Sequence, residues 1–135
     1  MHRFETAIRL HHTDAAGVIF YARLFDLTHR AFEDMLDALG HPLPEDLGAA
    51  PVAYPIVHAH ADYHAPLRLG NRVAIEVEVD RVTERSFHLD YRVVKADGTL
   101  AATVRTSHAA MGRSVRSAAT LPDALIAGLR RHTRG

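Results

Sequence analysis

The stretch His11-His12-Thr13-Asp14-Ala15-Ala16-Gly17-Val18-Ile19-Phe20-Tyr21 holds the residues best suited to chemistry. A carboxylate, Asp14, stands among small residues. Gly17 is free to turn the chain, and Ala15 and Ala16 leave room beside it. The apolar periodicity that follows predicts a helix starting near Phe20 and Tyr21. The first N–H groups of such a helix lack internal partners and carry a partial positive charge. A carboxylate beside such a donor suits a carbonyl substrate, because the donor can hold a developing oxyanion while the anion acts as nucleophile or base. On local features alone, however, a turn or cap residue is the simpler account of Asp14.

Three further groups are candidates. His29 lies on the border of the helix's apolar stripe, where a packing or interface role competes with a ligand-binding one. His58, His60, Asp62 and His64 alternate along one predicted strand and share a face. Their donor types suit zinc, but side chains two apart on a strand stand roughly 7 Å apart, too far to meet one ion easily. Arg85 and Ser86 fall between two predicted strands. A cation beside a hydroxyl and backbone N–H groups suits a phosphate, and a solvated turn arginine is the alternative. Arg113 and Arg116, after the last strand, are weaker candidates of the same kind.

These residues must be positioned by the elements around them. Phe4, Thr6, Ile8 and Leu10 alternate with Glu5, Ala7, Arg9 and His11, which predicts a half-buried strand over Arg3 to His11. Tyr21, Phe25, Thr28, Phe32, Leu36 and Leu39 then share one side of a helix of about 19 residues, closed by Gly40 with Pro42 beyond. His41 to Pro51 reads as a loop. Val52 to Leu67 reads as a strand with Pro55 and Pro66 near its ends. Val73, Ile75, Val77 and Val79 mark the next strand, and Phe87, Leu89, Tyr91 and Val93 the one after it. Asp97-Gly98 signals a hairpin into a last strand from Thr99 to Met111. Leu121 to His132 predicts a short amphipathic helix. The order β-α-β-β-β-β-α suggests an α+β fold in which an antiparallel sheet wraps one helix.

Composition narrows the functions. At 135 residues, 47% apolar and 24% charged, the chain suits a single domain over 1–135. Sixteen basic residues balance sixteen acidic ones, which argues against a nucleic-acid partner. The lack of cysteine removes disulfides, zinc–thiolate sites, iron–sulfur clusters and cysteine nucleophiles. No Gly-x-Ser-x-Gly elbow supports a serine hydrolase. No apolar run is long enough to span a membrane, and the first residues lack a signal peptide's apolar segment, so a cytoplasmic protein is expected.

Thr13-Asp14-Ala15-Ala16-Gly17-Val18-Ile19-Phe20-Tyr21-Ala22, leading into an amphipathic helix, resembles the signature of the hot-dog thioesterases of the 4-hydroxybenzoyl-CoA thioesterase family. The likeness continues through Pro55-Ile56-Val57-His58, Arg85-Ser86-Phe87 and the last strand. Within that family the chain resembles the 1,4-dihydroxy-2-naphthoyl-CoA hydrolases, on His29-Arg30-Ala31-Phe32-Glu33 and on Pro55 to Tyr63. Arg23 departs from the asparagine common among relatives. The resemblance implies a hot-dog fold, with one long helix wrapped by a five-stranded antiparallel sheet plus a short C-terminal helix. It implies hydrolysis of an aromatic acyl-CoA without cofactor or metal. Asp14 would be the catalytic carboxylate and the Tyr21 backbone N–H the carbonyl-polarising donor. Gly17, His29 and His58 would contact substrate, and Arg85 and Ser86 would hold CoA. Homodimers, often paired into homotetramers, are expected to share active sites between subunits. Aliphatic acyl-CoA hydrolysis keeps the chemistry and changes the acyl group. A non-catalytic acyl-CoA-binding module is the alternative of a different class.

Overall fold

The computed structural model describes residues 1–45, 47, 50–112 and 119–133. The strands are β1 (His2–Ala7), β2 (Val52–Ala53), β3 (Ile56–Tyr63), β4 (Arg72–Val82), β5 (Ser86–Lys95), β6 (Leu100–Ala109) and β7 (Met111–Gly112). The helices are α1 (Leu24–Ala38) and α2 (Asp123–Arg130). Five strands form one antiparallel sheet in the order β1-β4-β5-β6-β3, and β2 pairs with β7 in a separate two-stranded ribbon. The sheet curls around α1, which is the hot-dog architecture.

The alternation in the sequence decides which face of the sheet meets the helix. Val73, Ile75, Val77 and Val79 of β4 and Phe87, Leu89, Tyr91 and Val93 of β5 are all buried. They pack against Leu24, Leu27, Ala31, Phe32, Met35 and Leu36 of α1 in one continuous core. Each large side chain so buried contributes roughly 1.5–3 kcal/mol. The hairpin expected at Asp97-Gly98 is present. Gly98 takes φ +89°, and the Thr99 N–H donates to Asp97 Oδ1 at 2.9 Å.

Several boundaries differ from the sequence expectation. β1 ends at Ala7, and the chain then coils into a 3-10 turn at Leu10–His12. The turn breaks the two-residue alternation, so Leu10 is 74% exposed while His12 is 1% exposed. Tyr21–Arg23 is also a 3-10 turn, and α1 proper spans 15 residues from Leu24. Because the tighter turn changes the angular phase, the buried stripe runs along Leu24, Leu27, Ala31 and Met35, and Tyr21 is left 66% exposed. The helix ends as expected. Gly40 at φ +80° lets its N–H reach Asp37 O and the His41 N–H reach Leu36 O, the paired bonds of a Schellman stop. The strand expected over Val52 to Leu67 divides into β2 and β3, and the one expected over Thr99 to Met111 into β6 and β7.

Candidate active site

Asp14 stands at the tip of a clamped turn between β1 and α1. Its backbone N–H donates to Val18 O at 2.9 Å and its carbonyl accepts the Gly17 N–H at 3.1 Å. Thr13 and Ile19 form an antiparallel bridge. Gly17 occupies φ +79°, a left-handed conformation that a side chain would strain, so the turn's geometry itself calls for glycine there. The Ala16 N–H donates to Asp14 Oδ1 at 2.8 Å, an Asx turn that orients the exposed carboxylate and leaves Oδ2 to solvent.

The same turn delivers Tyr21. The Phe20 N–H donates to His12 O at 2.9 Å and the Ile19 N–H to Leu67 O at 2.7 Å, fixing the chain as it enters the 3-10 turn. Among the described residues, no backbone acceptor takes the Tyr21 N–H. The Tyr21 carbonyl, by contrast, accepts a hydrogen bond from the Tyr63 hydroxyl of β3. The turn that carries the Asp14 carboxylate thus leads directly to a Tyr21 N–H that no backbone acceptor among the described residues takes.

His29 lies next to a cleft of about 370 Å³ between α1 and the sheet, which it lines together with His12, Phe25, Thr28, Tyr91 and Thr106. Its ring packs on Phe32, with centroids 5.7 Å apart. His58 is elsewhere. On β3, Ala61 packs against the core and Tyr63 reaches Tyr21, so His58, His60 and Asp62 project from the opposite face. There His58 shares a groove with Asp90 and Arg92. His60 Nε2 lies 3.2 Å from Asp62 Oδ2, and among the described residues no three histidine or acidic side chains gather as a metal site. Arg85 and Ser86 occupy a tight turn in which Thr83 Oγ1 accepts both of their N–H groups, at 3.3 and 3.1 Å, and lies 2.9 Å from Ser86 Oγ. The Arg85 side chain is exposed. Arg113 and Arg116 lie outside the described residues.

Sequence reasoning assigned no role to His12, Tyr63, Tyr91, Thr106 or His108. His12 is buried, and its Nδ1 accepts the Arg9 N–H at 2.9 Å. Burial, aided by the neighbouring His11, lowers its pKa, so at neutral pH it is an uncharged ring with its proton on Nε2. His108 is fully buried between Phe32 and Phe87, with centroids 4.6 and 4.7 Å away. Desolvation pushes its pKa down to about 4. The signal for His108 was available in the sequence, as a polar ring on the inward face of β6 with Ala102, Val104 and Thr106.

Residues 8–129 match the model of the thioesterase-like superfamily. A 1,4-dihydroxy-2-naphthoyl-CoA hydrolase of Rippkaea orientalis is 33% identical over 132 residues, covering 96% of each chain. That of Synechococcus elongatus is 35% identical over 127 residues, covering 92% of this chain and 91% of its own. The crystal structure of a 1,4-dihydroxy-2-naphthoyl-CoA thioesterase from Synechocystis superposes with a TM-score of 0.88 at 26% identity, covering 95% of this chain and 94% of that one. With the wrapped helix and full-length likeness together, the chain belongs to the thioesterase-like superfamily.

Proposed function

We propose that this protein is an acyl-CoA thioesterase that hydrolyses hydroxyaryl-CoA thioesters, 1,4-dihydroxy-2-naphthoyl-CoA foremost, to the free acid and CoA. The observation that carries it is the clamped turn, with the oriented Asp14 carboxylate on one limb and, on the other, a Tyr21 N–H without a partner among the described residues. The N–H polarises the thioester carbonyl and holds the oxyanion. The Asp14 carboxylate supplies the anionic oxygen, either by attacking the carbonyl carbon or by taking a proton from the attacking water. Thiolate is a good leaving group, so a carboxylate and one preorganised donor suffice without a triad. The naphthoyl specificity is supported by the names of the relatives and by the aromatic-lined cleft beside His29.

Within this proposal, Gly17 shapes the approach to the carbonyl, His29 contacts the acyl ring, and Arg85 and Ser86 hold a CoA phosphate from their exposed turn. His58 faces away from α1, so any contact it makes with substrate would be at a site completed by a second subunit. The enzyme would act in the cytoplasm as a homodimer or homotetramer.

A panel of acyl-CoA thioesters, assayed for released thiol, tests the function. Hydroxynaphthoyl- and hydroxybenzoyl-CoA are expected to be hydrolysed with higher kcat/KM than hexanoyl-CoA. Equal turnover of hexanoyl-CoA would replace the aromatic assignment with a general acyl-CoA one.

A further inference from the structure

A chain of buried hydrogen bonds runs from the cleft beside His29 into the core. Tyr91 Oη lies 3.1 Å from Thr106 Oγ1, Thr106 Oγ1 lies 3.0 Å from His108 Nε2, and His108 Nδ1 lies 3.2 Å from Tyr54 O. Tyr91 and Thr106 line the cleft, whereas His108 lies behind them in the stacked rings of Phe32 and Phe87.

The direction of every proton in this chain follows from its inner end. A carbonyl only accepts, so His108 Nδ1 carries the hydrogen that Tyr54 O receives. The ring is fully buried and neutral, so it has one proton and Nε2 is a bare acceptor. Thr106 therefore donates its only hydroxyl proton to His108. Burial raises the Tyr91 pKa, so it remains a phenol. With the Thr106 proton committed inward, Tyr91 must donate to Thr106. Both hydroxyl protons point into the core, and bonds aligned head to tail in this way polarise one another. What remains toward the cleft is lone pairs only.

We propose that the Tyr91 and Thr106 oxygens form an acceptor pair that selects acyl groups carrying a hydrogen-bond donor, a ring hydroxyl foremost, with His108 as the positioning residue that fixes their polarity. The proposal rests on the thioesterase function above and names the feature of the acyl group that the cleft reads. A ring hydroxyl entering the cleft donates to this pair. A ring without it leaves the remaining lone pairs of these buried oxygens without a donor, and a methoxy group presents lone pairs to lone pairs. The Nε2–H of His12, which also lines the cleft, offers the complementary donor. A hydroxyl that donates to the tyrosine–threonine pair can accept from it.

The test compares kcat/KM for three aryl-CoA thioesters that differ only at one ring position: hydroxyl, hydrogen or methoxy. The wild type is expected to favour hydroxyl over hydrogen by about tenfold or more, and to take methoxy least well. In Tyr91→Phe the hydroxyl-to-hydrogen ratio is expected to fall several-fold toward one. Thr106→Val should do the same, while Thr106→Ser, which restores the oxygen, should recover the preference. A wild type that takes methoxy as well as hydroxyl overturns the proposal without any variant. So does a Tyr91→Phe enzyme in which all three substrates decline equally, since that is the mark of a merely structural role. A wild type that hydrolyses aliphatic but no aryl thioesters removes the aromatic function, and this proposal with it. An active aryl-thioesterase with no hydroxyl preference removes the proposal alone.

Discussion

Asp14 and His108 sit in opposite environments, one exposed and one fully buried, and each allows a direct measurement. Asp14 is exposed, and its role in the turn uses only one oxygen, as acceptor of the Ala16 N–H. Asparagine keeps that acceptor, so Asp14→Asn is expected to melt within a few degrees of the wild type. The substitution removes the anionic oxygen, and turnover of aryl-CoA should fall on the order of a hundredfold or more. Turnover within about threefold of wild type would show that another group is the carboxylate. His108 affects stability instead. Its pKa is about 4 in the folded chain against 6.5 for an ordinary histidine. Between those values the unfolded chain binds the extra proton, so folding stability is complete above pH 6.5 and is lost as pH falls toward 4. A full depression of this size corresponds to roughly 3 kcal/mol. Burial lowers the pKa of His12, His88 and His132 as well, which adds loss of the same sign. Urea midpoints at pH 7 and pH 4.5 check this. His108→Phe should be less stable at pH 7, because Tyr54 O and Thr106 lose a partner, yet should lose less on acidification than the wild type.

At the scale of elements, the proposed mechanism depends on the 3-10 turn at Tyr21–Arg23 more than on α1 itself. A regular helix beginning at Tyr21 would point its first N–H groups along the helix axis. The 3-10 turn instead follows the Asp14 loop directly, entered through the Phe20 N–H bonded to His12 O, and the edge strand β3 meets it through the Tyr63 hydroxyl. Tyr63→Phe removes that tether while keeping the ring. We expect kcat for aryl-CoA to fall roughly tenfold with KM changed less than twofold, because a mispositioned oxyanion donor costs transition-state stabilisation rather than ground-state binding. A rise in KM with kcat intact would show that Tyr63 serves binding and not the Tyr21 turn.

For the whole molecule, the open question is the edge of the sheet. Among the described residues β3 pairs only with β6, and most of its residues are exposed, including Ile56, Val57 and Tyr63. A proline-free strand of eight residues, with one backbone edge unpaired among the described residues, is a template for another strand. The histidine-bearing face of β3 and the adjoining groove with Asp90 and Arg92 would then lie near the seam. Sedimentation should give a species of two or four chains of 14.9 kDa each at micromolar concentration. A monomer alone under those conditions would rule out the shared-sheet assembly.

Much of this organisation is legible in the chain's linear pattern. Two-residue alternation in Val73 to Val79 and Phe87 to Val93 identifies the core face of two strands, because a pleated backbone sends successive side chains to opposite sides. Gly40 ends the helix and Asp97-Gly98 turns the hairpin for reasons local to a few dihedral angles. The Asp14 segment is local too, which is why its turn and its likeness to the thioesterases could be recognised from ten residues. What only the tertiary structure decided depends on contacts between distant residues. Whether Leu10 or His12 turns inward hinges on a 3-10 turn that alternation cannot anticipate. Which face of β3 carries His58 is set by a register shift opposite β6, between Ile56 and His58. The chain from Tyr91 through Thr106 to His108 and Tyr54 joins β5, β6 and the segment before β3, up to 54 residues apart. In sequence these are one aromatic, one β-branched and one imidazole side chain on ordinary strand positions. They acquire a polarity toward the cleft only when packing removes water and leaves each proton a single acceptor.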